Sequence, residues 1–168
     1  MTQIQNWQWL AKTFWYVPED SLPAPQFDPE GGAPVWLVDQ TVWQIQEVEK
    51  GYFWGNCAVL LYEPGEKGET PRGLRLAGSI TPEGQVHITF MPESPLGAAR
   101  TTVGIGCMRW REGAWSFEMQ MSSSADDVVL HWAFMLQCKP GYPAWQELPG
   151  TSYSLPDFLR AAGFSDGP

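Results

Sequence analysis

From residue 35 to residue 138 the chain is a succession of runs rich in β-branched and aromatic residues, separated by turn signals, without a helical period. Short connections such as Lys50-Gly51 and Glu112-Gly113 favour antiparallel neighbours. Because closure removes the exposed edges of such a sheet, we predict an all-β, eight-stranded, antiparallel up-and-down β-barrel that forms a single domain over residues 1–168. The predicted strands are 14–17, 35–49, 52–62, 73–81, 85–91, 101–111, 114–122 and 128–138.

The two ends of the chain predict the remaining elements. Apolar residues from Ile4 to Phe14 recur at helical spacing, which predicts a short N-terminal helix. Residues 18–34 hold five prolines and Gly31-Gly32, so we predict a long loop there rather than a strand. Residues 155–162, ended by Gly163, predict a short C-terminal helix.

Composition and charge limit the possible partners. Nineteen Asp and Glu against ten Lys and Arg give a net charge of −9, which disfavours nucleic acid. No apolar run approaches the roughly 18 residues of a membrane span. The first ten residues lack the basic and apolar regions of a signal peptide, so we expect a cytoplasmic protein.

The cysteines and histidines indicate neither a metal site nor a cofactor. Cys57, Cys107 and Cys138 lie in strand-like sequence, which predicts three reduced, buried thiols; one disulfide with a free thiol is the alternative. His87 and His131 form no metal-ligand spacing with each other or with the cysteines. We therefore expect no bound metal and no cofactor.

A helix followed by Lys12-Thr-Phe-Trp-Tyr-Val17, eight strands and a late helix resembles the lipocalin or calycin architecture. Trp15 matches the tryptophan of the Gly-x-Trp motif in the first lipocalin strand, and Thr13 stands in the position of the glycine. Arg111-Glu112-Gly113 lacks the Thr-Asp-Tyr of the loop before the seventh strand, and Lys139 stands at best where an arginine follows the last strand. The resemblance implies the fold, with Trp15 closing one end of the barrel, and does not indicate a ligand.

The turns predict which side chains face inward. A two-residue turn at Glu112-Gly113 makes one face of this hairpin apolar, while Arg109 lies on the outer face. Gly104 and Gly106 would then leave space beside Met119. The predicted pairs are Trp110 with Trp115, Met108 with Phe117, Gly106 with Met119, and Gly104 with Met121.

Two further orientations follow from the neighbouring turns. Placing Ser122 opposite Val128 puts His131 inside the barrel, opposite Met119, and leaves an outer face from Leu130 to Leu136 for Phe158 and Leu159 of the C-terminal helix to cover. The hairpin at Lys50-Gly51 favours an inward set that a one-residue bulge would reverse. This set is Trp43, Ile45, Trp54, Asn56, Ala58 and Leu60.

Ten tryptophans and an inward histidine suggest a ligand cavity, since indole rings combine apolar area with a hydrogen-bond donor. The leading hypothesis is a carrier or sensor for a small, largely apolar or aromatic molecule held in the barrel cavity. The alternatives are a barrel isomerase, cyclase or lyase with His131 as acid or base, and a filled barrel acting as a protein-interaction module. The oligomeric state stays open, a homodimer included. The candidate ligand-binding residues are Trp43, Trp54, Asn56, Met108, Trp110, Trp115, Met119 and His131.

Overall fold

The computed structural model describes residues 6–20, 22–66, 70–92, 101–124 and 127–165. A 3-10 helix at Trp7–Leu10 precedes nine strands, and two short helices follow them. None of the helices in these ranges is long and apolar enough to span a membrane. The elements are β1 (Thr13–Tyr16), β2 (Leu22–Phe27), β3 (Val35–Glu49), β4 (Tyr52–Tyr62), β5 (Arg72–Ile80), β6 (Gln85–Pro92), β7 (Thr101–Arg111), β8 (Ala114–Ser124), β9 (Val128–Cys138), α1 (Pro143–Gln146) and α2 (Leu155–Ala161).

The nine strands close into an antiparallel barrel with eight positions, which confirms the predicted fold class. Strands β3 to β9 follow one another in chain order around the barrel. β1 and β2 share the remaining position between β3 and β9: β1 pairs with both near one end, and β2 pairs with both near the other. The barrel thus has an end formed by tight hairpins, called here the hairpin end, and an opposite loop end.

Strand β2 lies inside the segment that we predicted to be a loop, so that prediction is wrong for Leu22–Phe27. Pro23 and Pro25 occupy alternate positions, which places both missing N–H groups along the same edge of the strand. β2 pairs with β3 from Leu22 to Gln26, but with β9 at Gln26 and Phe27. β3 is the partner of β2 over most of its length, so the two prolines are tolerated if their missing N–H groups lie on the opposite edge, which faces β9.

A bulge between Ile45 and Glu47 reverses the predicted faces of β4. Trp43 and Ile45 face the barrel interior as predicted, and Trp43 pairs with Cys57. Of the predicted inward set, Trp54, Asn56, Ala58 and Leu60 instead lie on the outer face, since one extra residue in β3 shifts the alternation of its partner.

The remaining hairpins agree with the predicted faces. All four predicted pairs between β7 and β8 are present. Between β8 and β9 the register differs by two residues, because Ser124 rather than Ser122 lies opposite Val128. A shift of two residues preserves the face, so His131 still points inward but lies opposite Met121 instead of Met119.

Aromatic side chains fill the hairpin end. The Trp7 Nε1–H donates to the Thr81 carbonyl at 2.9 Å, and this ring lies 5.1 Å from that of Trp115. Trp15 is fully buried against Phe117, with ring centroids 4.6 Å apart, and its Nε1–H donates to the Thr13 hydroxyl. The prediction that Trp15 closes one end of the barrel is therefore confirmed, whereas the N-terminal helix is shorter than predicted and Ile4 lies outside the described residues.

The C-terminal helices cover a different wall from the predicted one. Phe158 and Leu159 are fully buried against Val42, Ala58 and Leu60 on the outer faces of β3 and β4. The bulge turned Ala58 and Leu60 outward, and α2 supplies the cover that they need. The outer face of β9 consequently keeps Leu130 and Trp132 exposed, which corrects the predicted docking of α2 on that strand.

The three cysteines are unpaired, but the prediction that all three are buried is wrong for Cys107. Cys107 is half-buried on the outer face of β7, because the register of this strand with β8 has no bulge and its odd-numbered residues all face outward. Cys57 and Cys138 are buried, and burial raises the pKa of the Cys57 thiol and raises that of Cys138 to about 11.

These positions predict one reactive thiol in the native protein. Iodoacetamide at pH 8 is expected to alkylate Cys107 and to spare Cys57 and Cys138, because only the thiolate reacts and both buried thiols resist ionisation. Mass spectrometry should find one adduct before denaturation and three after it. Native adducts in a Cys107→Ser variant would contradict the burial of the other two.

Candidate functional site

A buried polar cluster lies inside the barrel among the inward side chains of β3 and β9. The Asp39 side chain is fully buried, and the Thr41 hydroxyl donates to its Oδ1 at 2.7 Å. The His131 Nδ1 lies 3.1 Å from the other carboxylate oxygen, and 7% of the His131 side chain is exposed. A carboxylate withdrawn from water is stable only when its oxygens are hydrogen-bonded, and these two contacts satisfy both of them.

A small inward residue of β2 allows this contact. β2 lies between β3 and β9, so His131 must reach Asp39 across it. Extending the pairing of Gln26 with Val129 by two residues places Ala24 opposite His131. Ala24 is fully buried and offers only a methyl group, which leaves room for the imidazole.

A groove opens on the outer side of the same region, along the β2–β9 seam where the prolines weaken the ladder. Its volume is about 540 Å³. Two indole rings form its walls, and the inward residues Met121 and His131 belong to its lining. We call it the seam groove; its lining is Pro23, Pro25, Trp36, Gln120, Met121, Leu130, His131 and Trp132.

The geometry sets the chemistry of the imidazole. The carboxylate of Asp39 accepts a hydrogen bond from Nδ1, and in the neutral tautomer that this contact selects Nε2 keeps a lone pair. Within the described part of the chain, Nε2 has no hydrogen-bond partner. The ring is thus fixed by Nδ1, and His131 belongs to the lining of the groove.

Trp43 lies in the barrel interior as predicted, but among packed side chains. Its ring is fully buried against those of Phe90 and Phe117, with centroids 5.6 and 5.3 Å away. The Trp43 Nε1–H finds no acceptor among the residues that the structure describes. An unpaired buried donor of this kind costs about 1–3 kcal/mol.

Three further candidates, Met108, Trp110 and Trp115, lie towards the hairpin end, and Met119 lies in the middle of β8, opposite Ala133. Met108 is buried, and Trp115 packs among the aromatic side chains that fill the hairpin end. Trp110 contacts Trp115 but is 59% exposed. Met119 occupies the space that we predicted beside Gly104 and Gly106: a Cβ at Gly106 would lie 2.7 Å from its sulfur. The predicted cavity at this point is therefore filled.

Trp54 and Asn56 do not face the interior. Trp54 is 42% exposed on the outer face of β4. The Asn56 Nδ2–H donates to Gln44 Oε1 at 2.8 Å, and its Oδ1 accepts from Arg75, whose guanidinium lies over the Phe164 ring. This outer network lies at the edge of α2, so the structure does not unite Asn56 with His131.

Other concave features also lie on the barrel. A pocket of about 240 Å³ at the loop end is lined by the inward residues Val59, Leu61 and Val129 among others. A wider groove of about 1020 Å³ runs over the outer face of β6 to β9. Its Glu118 contacts Arg111 at 2.5 Å and Arg109 at 3.8 Å, and with Glu19 it balances the charge of the two arginines in the lining of the groove.

Asp39 and Thr41 are the functional candidates that the sequence interpretation missed. Both share the strand parity of Trp43 and Ile45, which were predicted to face inward. Two polar residues at inward positions of an otherwise apolar strand were the available signal, because a buried polar group needs a specific partner.

The chain matches no protein-family model, no curated protein sequence and no solved structure. Among the described residues, no group of three or more His, Cys, Asp or Glu side chains is arranged to hold a metal ion.

Proposed function

We propose that this protein binds a small, largely apolar or aromatic molecule in the seam groove, as a carrier or sensor, with one polar group of the ligand hydrogen-bonded to His131 Nε2. The observation that carries the proposal is the Asp39–His131 pair. It fixes the imidazole by Nδ1 and leaves Nε2 without a partner in the described chain, beside an indole-walled groove. The calycin-like barrel supports the proposal only as a scaffold of suitable size.

The chemistry of the groove defines the ligand class. Trp36 and Trp132 are 56% and 50% exposed and can contact the faces of an aromatic ring. Gln120 and His131 are the polar groups in the lining, and both are uncharged when the imidazole is neutral. A phenol or an aromatic N–H compound fits this set, because its single donor meets the lone pair on Nε2.

Calorimetric titration with 2-naphthol and with 2-methoxynaphthalene tests this assignment. The first probe carries a donor and the second does not, so we expect the first to bind more tightly. His131→Gln should weaken 2-naphthol binding by about 1 kcal/mol, or roughly fivefold, the usual worth of one hydrogen bond. It should leave the affinity for the methoxy compound unchanged.

Two exposed tryptophans provide a matched control. Trp132→Ala removes a groove wall and should weaken binding of both probes about tenfold or more, whereas Trp54→Ala, on the far side of the barrel, should change nothing. Equal effects of the two variants, or none from Trp132→Ala, would refute the groove as the site.

The Asp39–His131 geometry also favours a second candidate, an enzyme. A carboxylate that holds Nδ1 orients the imidazole as a general base at Nε2. Protein purified from its own source should be analysed by native mass spectrometry, and the released molecule compared before and after incubation with fresh protein. Conversion that His131→Gln abolishes would establish catalysis, and an unchanged molecule would support the carrier or sensor.

A further inference from the structure

An apolar face covers the barrel wall that the C-terminal helices leave open. Its side chains are between 39% and 61% exposed and lie on the outer sides of β2, β3, β7 and β9. The ladder makes the face continuous: Ile105 pairs with Gln120, which pairs with Trp132, and Val103 pairs with Ser122, which pairs with Leu130. We define the apolar face as Phe27, Trp36, Val103, Ile105, Leu130 and Trp132.

The face contrasts in charge with the rest of the chain. Its six side chains, and the Gln120 and Ser122 that link them, carry no ionisable group. The chain as a whole has a net charge of −9, which repels nucleic acid and anionic lipid surfaces. Because its side chains are apolar and uncharged, this face is suited to contact another apolar, uncharged protein surface.

The exposed area is close to what a dimer requires. The exposed fractions of these side chains correspond to an area on the order of 700 Å², whereas a stable interface buries roughly 800 Å² on each partner. Single patches on monomeric proteins are usually smaller, around 300–600 Å². The six side chains of the face are also compatible with a copy of themselves, because a two-fold axis brings no like charges together among them.

We propose that two copies of this chain associate through the apolar face to form a two-fold symmetric dimer. The seam groove opens within this face between Trp36 and Trp132, so the second copy closes its open side. The interface extends beyond the groove to Val103 and Ile105, which are absent from its lining. Dimerisation is therefore measurable without a ligand and does not depend on the proposed function.

Sedimentation equilibrium of the full chain tests the proposal. We expect a concentration-dependent mass that approaches twice 18.8 kDa. Ile105→Glu places a charge at the most exposed residue of the face and should weaken dimerisation at least tenfold, while Tyr52→Glu, equally exposed on β4, should leave it unchanged. Circular dichroism should show the wild-type fold for both variants, since both side chains point into water.

A wild-type protein that remains monomeric at 100 μM overturns the proposal, as does a dimer that Ile105→Glu does not weaken. Co-sedimentation of a monomer with vesicles of neutral phosphatidylcholine would assign the face to a lipid surface instead. A monomer that binds neither would leave the face to a different protein. Binding of 2-naphthol by the Ile105→Glu monomer would show that failure of the dimer leaves the groove site intact.

Discussion

Gly106→Ala is expected to lower the free energy of unfolding by about 3 kcal/mol, one of the largest effects available to a single methyl group in this chain. An alanine Cβ at this position would lie 2.0 Å from the Glu118 carbonyl oxygen and 2.8 Å from the Met119 Cα. Both atoms belong to the backbone of β8, which cannot move without breaking the β7–β8 ladder. The strain is therefore not relieved by a change of rotamer.

Gly104→Ala is the matched control, two residues away on the same face of the same strand. Its Cβ would meet side-chain atoms, Ile88 Cγ2 at 2.9 Å and Met121 Cγ at 3.0 Å, which can move without breaking the β7–β8 ladder. Its cost should be lower, about 1–2 kcal/mol, since alanine also loses less backbone entropy than glycine. Urea unfolding followed by tryptophan fluorescence measures both values, and equal costs would contradict the distinction between backbone and side-chain contacts.

The β7–β8 hairpin shows how much the sequence can predict where a tight turn fixes the register. Glu112 and Gly113 both have positive φ, at 54° and 85°, as a two-residue hairpin turn requires. Four cross-strand pairs followed correctly from this turn alone. The faces of β7 and β8, and with them the inward Met119, were thus predictable from local chemistry.

The β3–β4 hairpin shows the opposite case. Its turn at Lys50-Gly51 is equally tight, but the bulge lies four residues away and changes which face of β4 lies on the same side as Trp43 and Ile45. Gly55 accommodates this bulge, since a Cβ there would lie 1.9 Å from the Gln44 carbonyl oxygen. A glycine inside a strand is consistent with a bulge but does not place it, so Trp54 and Asn56 were assigned to the wrong face.

The candidate site depended on tertiary contacts that no local pattern contains. The alternation of side chains along β9 predicted that His131 faces inward, and the two-residue difference in register did not change its face. Its contact with Asp39 joins residues 92 positions apart across a third strand. Only the closure of the barrel, together with the small Ala24 between them, brings these two side chains together.

Asp39→Ala is expected to lower the free energy of unfolding by about 3 kcal/mol, because it leaves the His131 Nδ1–H and the Thr41 hydroxyl without an acceptor in the interior. A double-mutant cycle with His131→Ala should give a coupling energy of at least about 1 kcal/mol. Glu118→Ala provides the comparison: its ion pairs with Arg109 and Arg111 are partly exposed, and their loss should cost less than about 1 kcal/mol. Equal costs for the two acidic residues would show that the buried pair contributes no more than a surface one.

Asp39→Asn is expected to keep the hydrogen bond between residue 39 and His131 but to reverse its direction. Thr41 donates to Oδ1, so an asparagine would keep its carbonyl towards Thr41 and turn its amide towards His131. The amide N–H then donates to Nδ1, and the ring proton moves to Nε2. Nitrogen-15 NMR, with only His87 and His131 to assign, should show this change of tautomer in the variant. The preference for 2-naphthol over 2-methoxynaphthalene should then disappear, because Nε2 has become a donor and both probes offer it an oxygen acceptor; an unchanged tautomer would mean that Asp39 does not set the polarity of the imidazole.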